Sequence, residues 1–472
     1  MATVSKSTVD APNACSSPED RKFKKIVVVT SIGYVSALLA IFVLVNEEVP
    51  KAYMDEEFHV KQAQKYCVGN FTSWDPKITT PPGLYVITLG FLKPFSELYA
   101  FGEEDAARIC PVFMLRFTNF VFSCANTYLL YLISQQLHRY TPRVSKLKLL
   151  LSSLSLSTFP VLFFFTFLYY TDAGSLFFLL VMYFYHNNEH QWIAALLGSV
   201  SLLYRQTNIV WLFFLASYSA LKIVQSNFER SKRKTKLLSV VFTSIPQIMF
   251  ICWAYVIVGF IFLAFVIYNN GIVLGDKSAH KAVFHLTQVL YFFGFLSCFS
   301  CPWIFTKNNV KSFIVYTIRN PTKVLLVGLC MALAAKNMTY VHPYLLADNR
   351  HFTFYIWRRI IARPNSILPY FYIPLCIYIA WCFVYLLQRK DTLWKWLFCT
   401  CLCISLVPQQ LLEFRYFIPA FIIWRLNIQP NSSVSLFLEF GLNVCVNAIA
   451  FYLFLFYTFQ WPQSNETQRF MW

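Results

Sequence analysis

The chain has 472 residues, of which 57% are hydrophobic and 19% aromatic but only 13% charged, whereas soluble domains carry about 25% charged residues. Apolar runs of about 20 residues, the length that crosses a hydrocarbon core, recur along almost the whole chain; this excludes a soluble globular fold and predicts an all-α, polytopic membrane protein. A net charge of +18 would point to nucleic acid in a soluble protein, but here the basic residues sit mainly between apolar runs, so the charge reads as topology and no nucleic-acid partner is expected.

In chain order, residues 1–20 are polar and aperiodic and are expected to form a disordered cytosolic tail. Arg21, Lys22, Lys24 and Lys25 then precede an apolar run over 26–45, which is too long for a signal-peptide core and lacks a clear small-residue cleavage site. It is expected to stay as the first span, with the amino terminus in the cytosol. Residues 46–108 then form a long first luminal loop, and the sequon Asn70-Phe71-Thr72 fits that side. Further apolar runs predict roughly eleven to thirteen spans in all, within one membrane domain over 21–472. The basic segments around Arg139 and Arg233 fall on the cytosolic side in alternation, where they orient the protein or touch anionic lipid headgroups.

The fourteen cysteines lie mostly inside apolar runs, as small hydrophobes do. Cys298 and Cys301 form a CxxC with no second pair, which is not a metal signature. Cys67 and Cys110 flank a polar stretch of the first loop, where an oxidising lumen would allow them to pair. Arg358, Arg359 and Arg363 break the charge pattern: they stand before the run 367–387, whose other end also carries Arg389 and Lys390. Either a span near 352–357 has been miscounted, or these arginines are luminal because a phosphate needs them.

Polar chemistry is concentrated between the runs. The first loop opens with Asp55, Glu56, Glu57 and His59, then continues through Trp74, Asp75 and Tyr85 with a density of prolines and aromatics that suits a structured cap. The acidic cluster is either a solvated face or the source of a general base, since a carboxylate beside like charges and low dielectric has a raised pKa. Asp172 and Arg205 lie at predicted helix ends and are expected to form a buried pair. His342, His351 and Asp348 have no usual metal-ligand spacing, so no metal is expected.

The strings YMDEEFHVKQAQKYC and WDPKITTPPGLY resemble the first luminal loop of the dolichyl-phosphate-glucose-dependent α-1,2-glucosyltransferases, enzymes of the GT-C class. The strings GDKSAH, HPYLLADNRHFTFYIWRR and LLEFRYF are similar to later segments of the same family, so the resemblance runs from about Tyr53 to Trp472. It implies a GT-C membrane domain in the endoplasmic reticulum, with its active site on the luminal side. It also implies dolichyl phosphate glucose as donor, a diglucosylated dolichyl pyrophosphate oligosaccharide as acceptor, membrane lipids as surroundings, and no required cofactor. Asp55 matches the family's acidic position and Glu56 is adjacent; the sequence leaves open which is the base, with Asp55 favoured. A glucosyl phosphate that leaves as an anion needs positive charge rather than a second acid. Arg350, His351, Arg358, Arg359 and Arg415 are candidates for that role. His59, Trp74, Asp75, Tyr85, Lys277, His280, His342 and Asp348 are candidates for the acceptor side or pocket wall. The competing expectations are another GT-C enzyme, such as a mannosyltransferase or other glucosyltransferase, a transporter, and a noncatalytic scaffold. A transporter would show mid-helix charges and two related halves, and a scaffold would not explain the acidic and arginine-rich loops.

Overall fold

In a computed structural model the chain is described over residues 18–99, 105–142, 144–231, 236–277, 281–361, 368–463 and 466–472. Helices dominate, and among the described residues the extended structure is one two-stranded ribbon, Phe459–Gln460 paired with Thr467–Gln468. Among the described residues, five helices are long and apolar enough to cross a membrane: Pro18–Glu48, Ala106–His138, Gln206–Arg230, Leu237–Tyr268 and Ser433–Leu455. A sixth candidate is the pair Lys307–Arg319 and Pro321–Asn337, bent by 102°. Five shorter apolar helices lie among them, including Gln191–Tyr204, Thr287–Phe299 and Thr392–Leu406. The chain is therefore a multi-pass, all-α membrane protein. Most of the expected tail, residues 1–17, lies outside the described residues. The first helix begins at Pro18, three residues inside that tail, because proline suits a first helical position and Glu19 and Asp20 suit a first turn.

The core is aromatic. Phe159 stacks on Phe421 at 4.3 Å, while Phe163, Phe164 and Phe167 pack against Phe451. Quadrupole geometry gives such pairs direction beyond simple area burial. The helix Val112–His138 carries a stripe of buried polar residues, Arg116, Asn119, Ser123 and Asn126, at helical spacing. The stripe meets a break in the chain between the helices Pro160–Phe165 and Asp172–Asn187. Asn119 donates to the carbonyls of Leu168 (2.7 Å) and Tyr170 (2.8 Å). Backbone left unpaired by a broken helix in an apolar bundle needs such partners.

The first loop is a structured cap, as expected. It forms the helix Glu56–Cys67, is closed by a disulfide between Cys67 and Cys110, and is braced by Gln62, which bonds Ser73 O and Asp75 N. A second loop docks on it through Leu274 N to Thr79 O and Asp276 N to Pro76 O. Between them Gly275 has a positive φ, and a Cβ there would stand 2.3 Å from Pro76 O, so glycine alone fits. The segment 352–357 is not a span: Phe352–Ile356 and the π-turn Trp357–Ile361 are five residues each, together about half of what a bilayer requires.

Candidate active site

Asp55 occupies the position before the helix Glu56–Cys67, where an aspartate usually caps the first turn. Here its side chain makes no capping bond. Asp55 itself has helical backbone angles (φ −58°, ψ −24°) instead of the extended ones from which a cap side chain reaches back, and the preceding residue, Met54, has a left-handed φ of 60°. The Asp55 carboxylate remains about half exposed (51%) and accepts from Arg415 Nη2 at 3.2 Å.

Glu56, one residue on, is in the opposite environment. Both its side chain and that of Arg116 are 0% exposed. Arg116 Nε and Nη2 reach the two Glu56 oxygens at 2.8 and 2.7 Å. The remaining Arg116 protons go to Asn46 Oδ1, Val49 O and Lys51 O. Glu56 also accepts from the backbone amides of Tyr53 (3.1 Å) and Tyr169 (2.7 Å). Each of the five guanidinium protons has a partner, so Glu56 ties the first loop to the polar stripe and to the helix break. Its place among the candidate bases is corrected accordingly: neither oxygen is open to a substrate.

Arg415 is the centre of a charge cluster. It bonds Glu413, reaches Asp55, lies 3.8 Å from Asp172, and covers the rings of Phe165 and Tyr170 at 5.0 Å each. Asp172 also takes Arg205 Nη2 at 2.8 Å, so the expected pair is present. Burial pushes the Asp55 carboxyl up, but Arg415, with His59 and His351, outweighs it and holds the group below the usual carboxylate range. Burial drives His59 down to about 4 despite Asp55, so it is neutral at pH 7; its Nδ1 lies 2.6 Å from Tyr85 Oη.

The other candidates fall into separate places. Trp74 packs edge-on to Tyr85 and donates to Ile78 O. Asp75 accepts from Lys77 N within its own turn. Arg350 is held by Asp348 (2.8 Å) and Gln468 (2.9 Å) and lies 4.7 Å over Trp461. His351 Nδ1 is 2.8 Å from Trp472 O. His342 accepts from Tyr344 N as a helix cap, and Lys277 bonds Asn269 O. His280 and Arg363 lie outside the described residues. Arg358 and Arg359 line a hollow of about 380 Å³ with Phe354 and Tyr355, each arginine beside an aromatic ring. That hollow is lined by none of the Asp348–His351 residues, which are occupied with one another and with the segment 461–472.

Sequence reasoning missed Arg116 and Asn119. The signal available was their spacing: polar side chains three, seven and ten residues apart on an otherwise apolar run mark one face of a helix.

Residues 49–426 match the DIE2/ALG10 family. The chain belongs to the DIE2/ALG10 family. A human relative is 40% identical over 93% of this chain and 96% of its own length, and is named Dol-P-Glc:Glc(2)Man(9)GlcNAc(2)-PP-Dol alpha-1,2-glucosyltransferase. Relatives bearing the same name in Arabidopsis thaliana and Drosophila melanogaster are each 32% identical, over 91% and 93% of this chain and 96% and 98% of their own lengths. The first loop with Asp55, the Asp172–Arg205 pair and Arg415 all fall inside the family match.

Proposed function

We propose that this protein is an inverting glucosyltransferase of the endoplasmic reticulum membrane, which moves glucose from dolichyl phosphate glucose to a diglucosylated dolichyl pyrophosphate oligosaccharide. The observation that carries this is the state of Asp55: a half-exposed, uncapped carboxylate kept ionised by Arg415 at the mouth of the first loop. The naming of 40%-identical human and 32%-identical plant and insect relatives supports the sugar and the carrier.

Asp55 takes the proton of the acceptor hydroxyl as its oxygen attacks C1 of the glucose. The bond between C1 and the phosphate oxygen breaks on the opposite face, so a β-linked donor yields an α-glycoside. Dolichyl phosphate leaves as an anion and needs donors rather than an acid. Arg358 and Arg359 supply that charge from the hollow they line, since the planar guanidinium fork matches phosphate oxygens. Arg415 faces three carboxylates already, and its role is to hold Asp55 rather than the donor. His59 and Tyr85 form the wall beside Asp55 on the acceptor side. The displacement involves no change of oxidation state and asks for no cofactor. The site faces the lumen, which suits a disulfide-closed loop.

The test is expression in cells lacking the final glucosylation step, followed by chromatography of their lipid-linked oligosaccharides. The wild-type chain is expected to restore the triglucosylated species and Asp55→Asn to leave the diglucosylated one. Restoration by Asp55→Asn would overturn the assignment of the base.

A further inference from the structure

The segment Gln468–Trp472 reaches the reaction site from the far end of the chain. Arg469 pairs with Tyr53 twice: its amide donates to Tyr53 Oη at 2.8 Å, and Tyr53 Oη donates to Arg469 O at 3.0 Å. Its guanidinium donates to Phe454 O and Leu455 O, and to Glu48 O. Those carbonyls end the helices Ser433–Leu455 and Pro18–Glu48, where unpaired carbonyls and the negative helix end favour a cation. Met471 exchanges backbone bonds with Arg350 and Phe352, in parallel register with His351. Gln468 holds Arg350, and Trp472 O lies 2.8 Å from His351 Nδ1. The Trp472 ring packs against Phe299, Phe352 and Phe414.

These contacts fall on both sides of Asp55. Tyr53 is two residues before it, with its backbone amide fixed by Glu56 and its hydroxyl fixed by Arg469. Phe414 is next to Arg415, which bonds Asp55 across the site. We propose that Gln468–Trp472 is a positioning element of the reaction site, clamping Tyr53 on one side and the His351 and Phe414 walls on the other so that Asp55 stands in its reactive place. The segment acts through Tyr53, His351 and Phe414. The inference rests on Asp55 as base.

Tyr53→Phe isolates the clamp, because it keeps the ring contacts with Phe454 and Arg350 and removes both bonds to Arg469. The full chain is purified in detergent and assayed with a short-chain polyprenyl phosphate glucose and a diglucosylated lipid-linked acceptor, alongside Trp472→Ala, Trp472→Phe and Asp55→Asn. Small misplacements of reacting groups lower rates by about tenfold to a hundredfold. Tyr53→Phe and Trp472→Ala are expected to lose kcat in that range with KM for both substrates unchanged, and Trp472→Phe to regain most of it. A rise in KM alone, or a lowered thermal midpoint with kcat of the folded fraction intact, would overturn the positioning role. If Trp472→Ala does not fold, Tyr53→Phe decides. Loss of activity in Asp55→Asn with full kcat in Tyr53→Phe would reject the clamp alone, whereas an active Asp55→Asn would remove the base on which it rests.

Discussion

Glu56 and Arg116 meet through two charge-assisted hydrogen bonds, 2.8 and 2.7 Å long, in a place that neither side chain shares with solvent. Removing one member of such a pair strands a buried charge, at a cost of about 3–5 kcal/mol. Glu56→Ala is therefore expected to lower the yield and the thermal midpoint of the purified protein, while the turnover of what folds falls far less than in Asp55→Asn. Equal midpoints for Glu56→Ala and wild type would show that the pair contributes no net stability.

Asp55→Asn is expected to keep the fold, because the side chain caps nothing and is half exposed. Loss of a general base typically lowers the rate by about 10²–10⁴-fold. Single-turnover measurements with saturating donor and acceptor check this, since they separate chemistry from binding.

Arg415→Gln addresses the charge on the base. With Arg415 present the Asp55 carboxyl lies below the usual range, so it is ionised throughout the neutral region and its favourable charge is lost only as pH falls through that lowered value. Without Arg415 the upward push of desolvation on this half-exposed group is opposed less, and the pKa rises. The acid limb of the kcat/KM profile is expected to move to higher pH, with activity at pH 7 reduced and recovered on raising the pH. An acid limb that stays in place would separate Arg415 from the ionisation of the base.

Arg358 and Arg359 are tested through the donor. Losing a hydrogen bond to a charged group costs about 1.5–3 kcal/mol, or about a tenfold to hundredfold loss in donor affinity. Alanine at either position is expected to raise KM for the donor and not for the acceptor, and lysine to rescue poorly because it lacks the fork. Unchanged donor dependence in all four variants would leave these arginines as topology signals.

The Cys67–Cys110 bridge closes a separation of 43 residues, and the chain-entropy treatment gives about 4 kcal/mol for a loop of that size. Cys110→Ser is expected to lower the thermal midpoint and leave Cys67, the partly exposed partner of the pair, open to a membrane-impermeant maleimide added from the lumenal side, whereas Cys110 is buried. In the wild type, labelling of either thiol should require prior reduction.

What could be read beforehand was local. The helices, the capped first loop and the Asp172–Arg205 pair follow from apolar periodicity and from polar strings at helix ends. The choice between Asp55 and Glu56 was not local: the two differ by one helical step of about 100°, and what separates them is Arg116, 60 positions on, and Arg415, 360 positions on. The structure parts Arg358 and Arg359 from Arg350 and His351 for the same reason. Arg350 is claimed by Gln468, 118 residues away, and His351 by Trp472, neither of which the string at 342–359 announces.

The left-handed turn at Met54 sets stability against rate. A residue with a Cβ in that conformation is disfavoured by about 1–2 kcal/mol relative to glycine, but Met54 also packs its side chain against the core, so Met54→Gly relieves the backbone, removes that packing and widens the arc through which Asp55 can swing. A smaller residue there trades packing for backbone ease and loosens the base, and a proline there would block the turn altogether. Position 54 is thus a point where selection on the folded state and selection on the reaction pull apart.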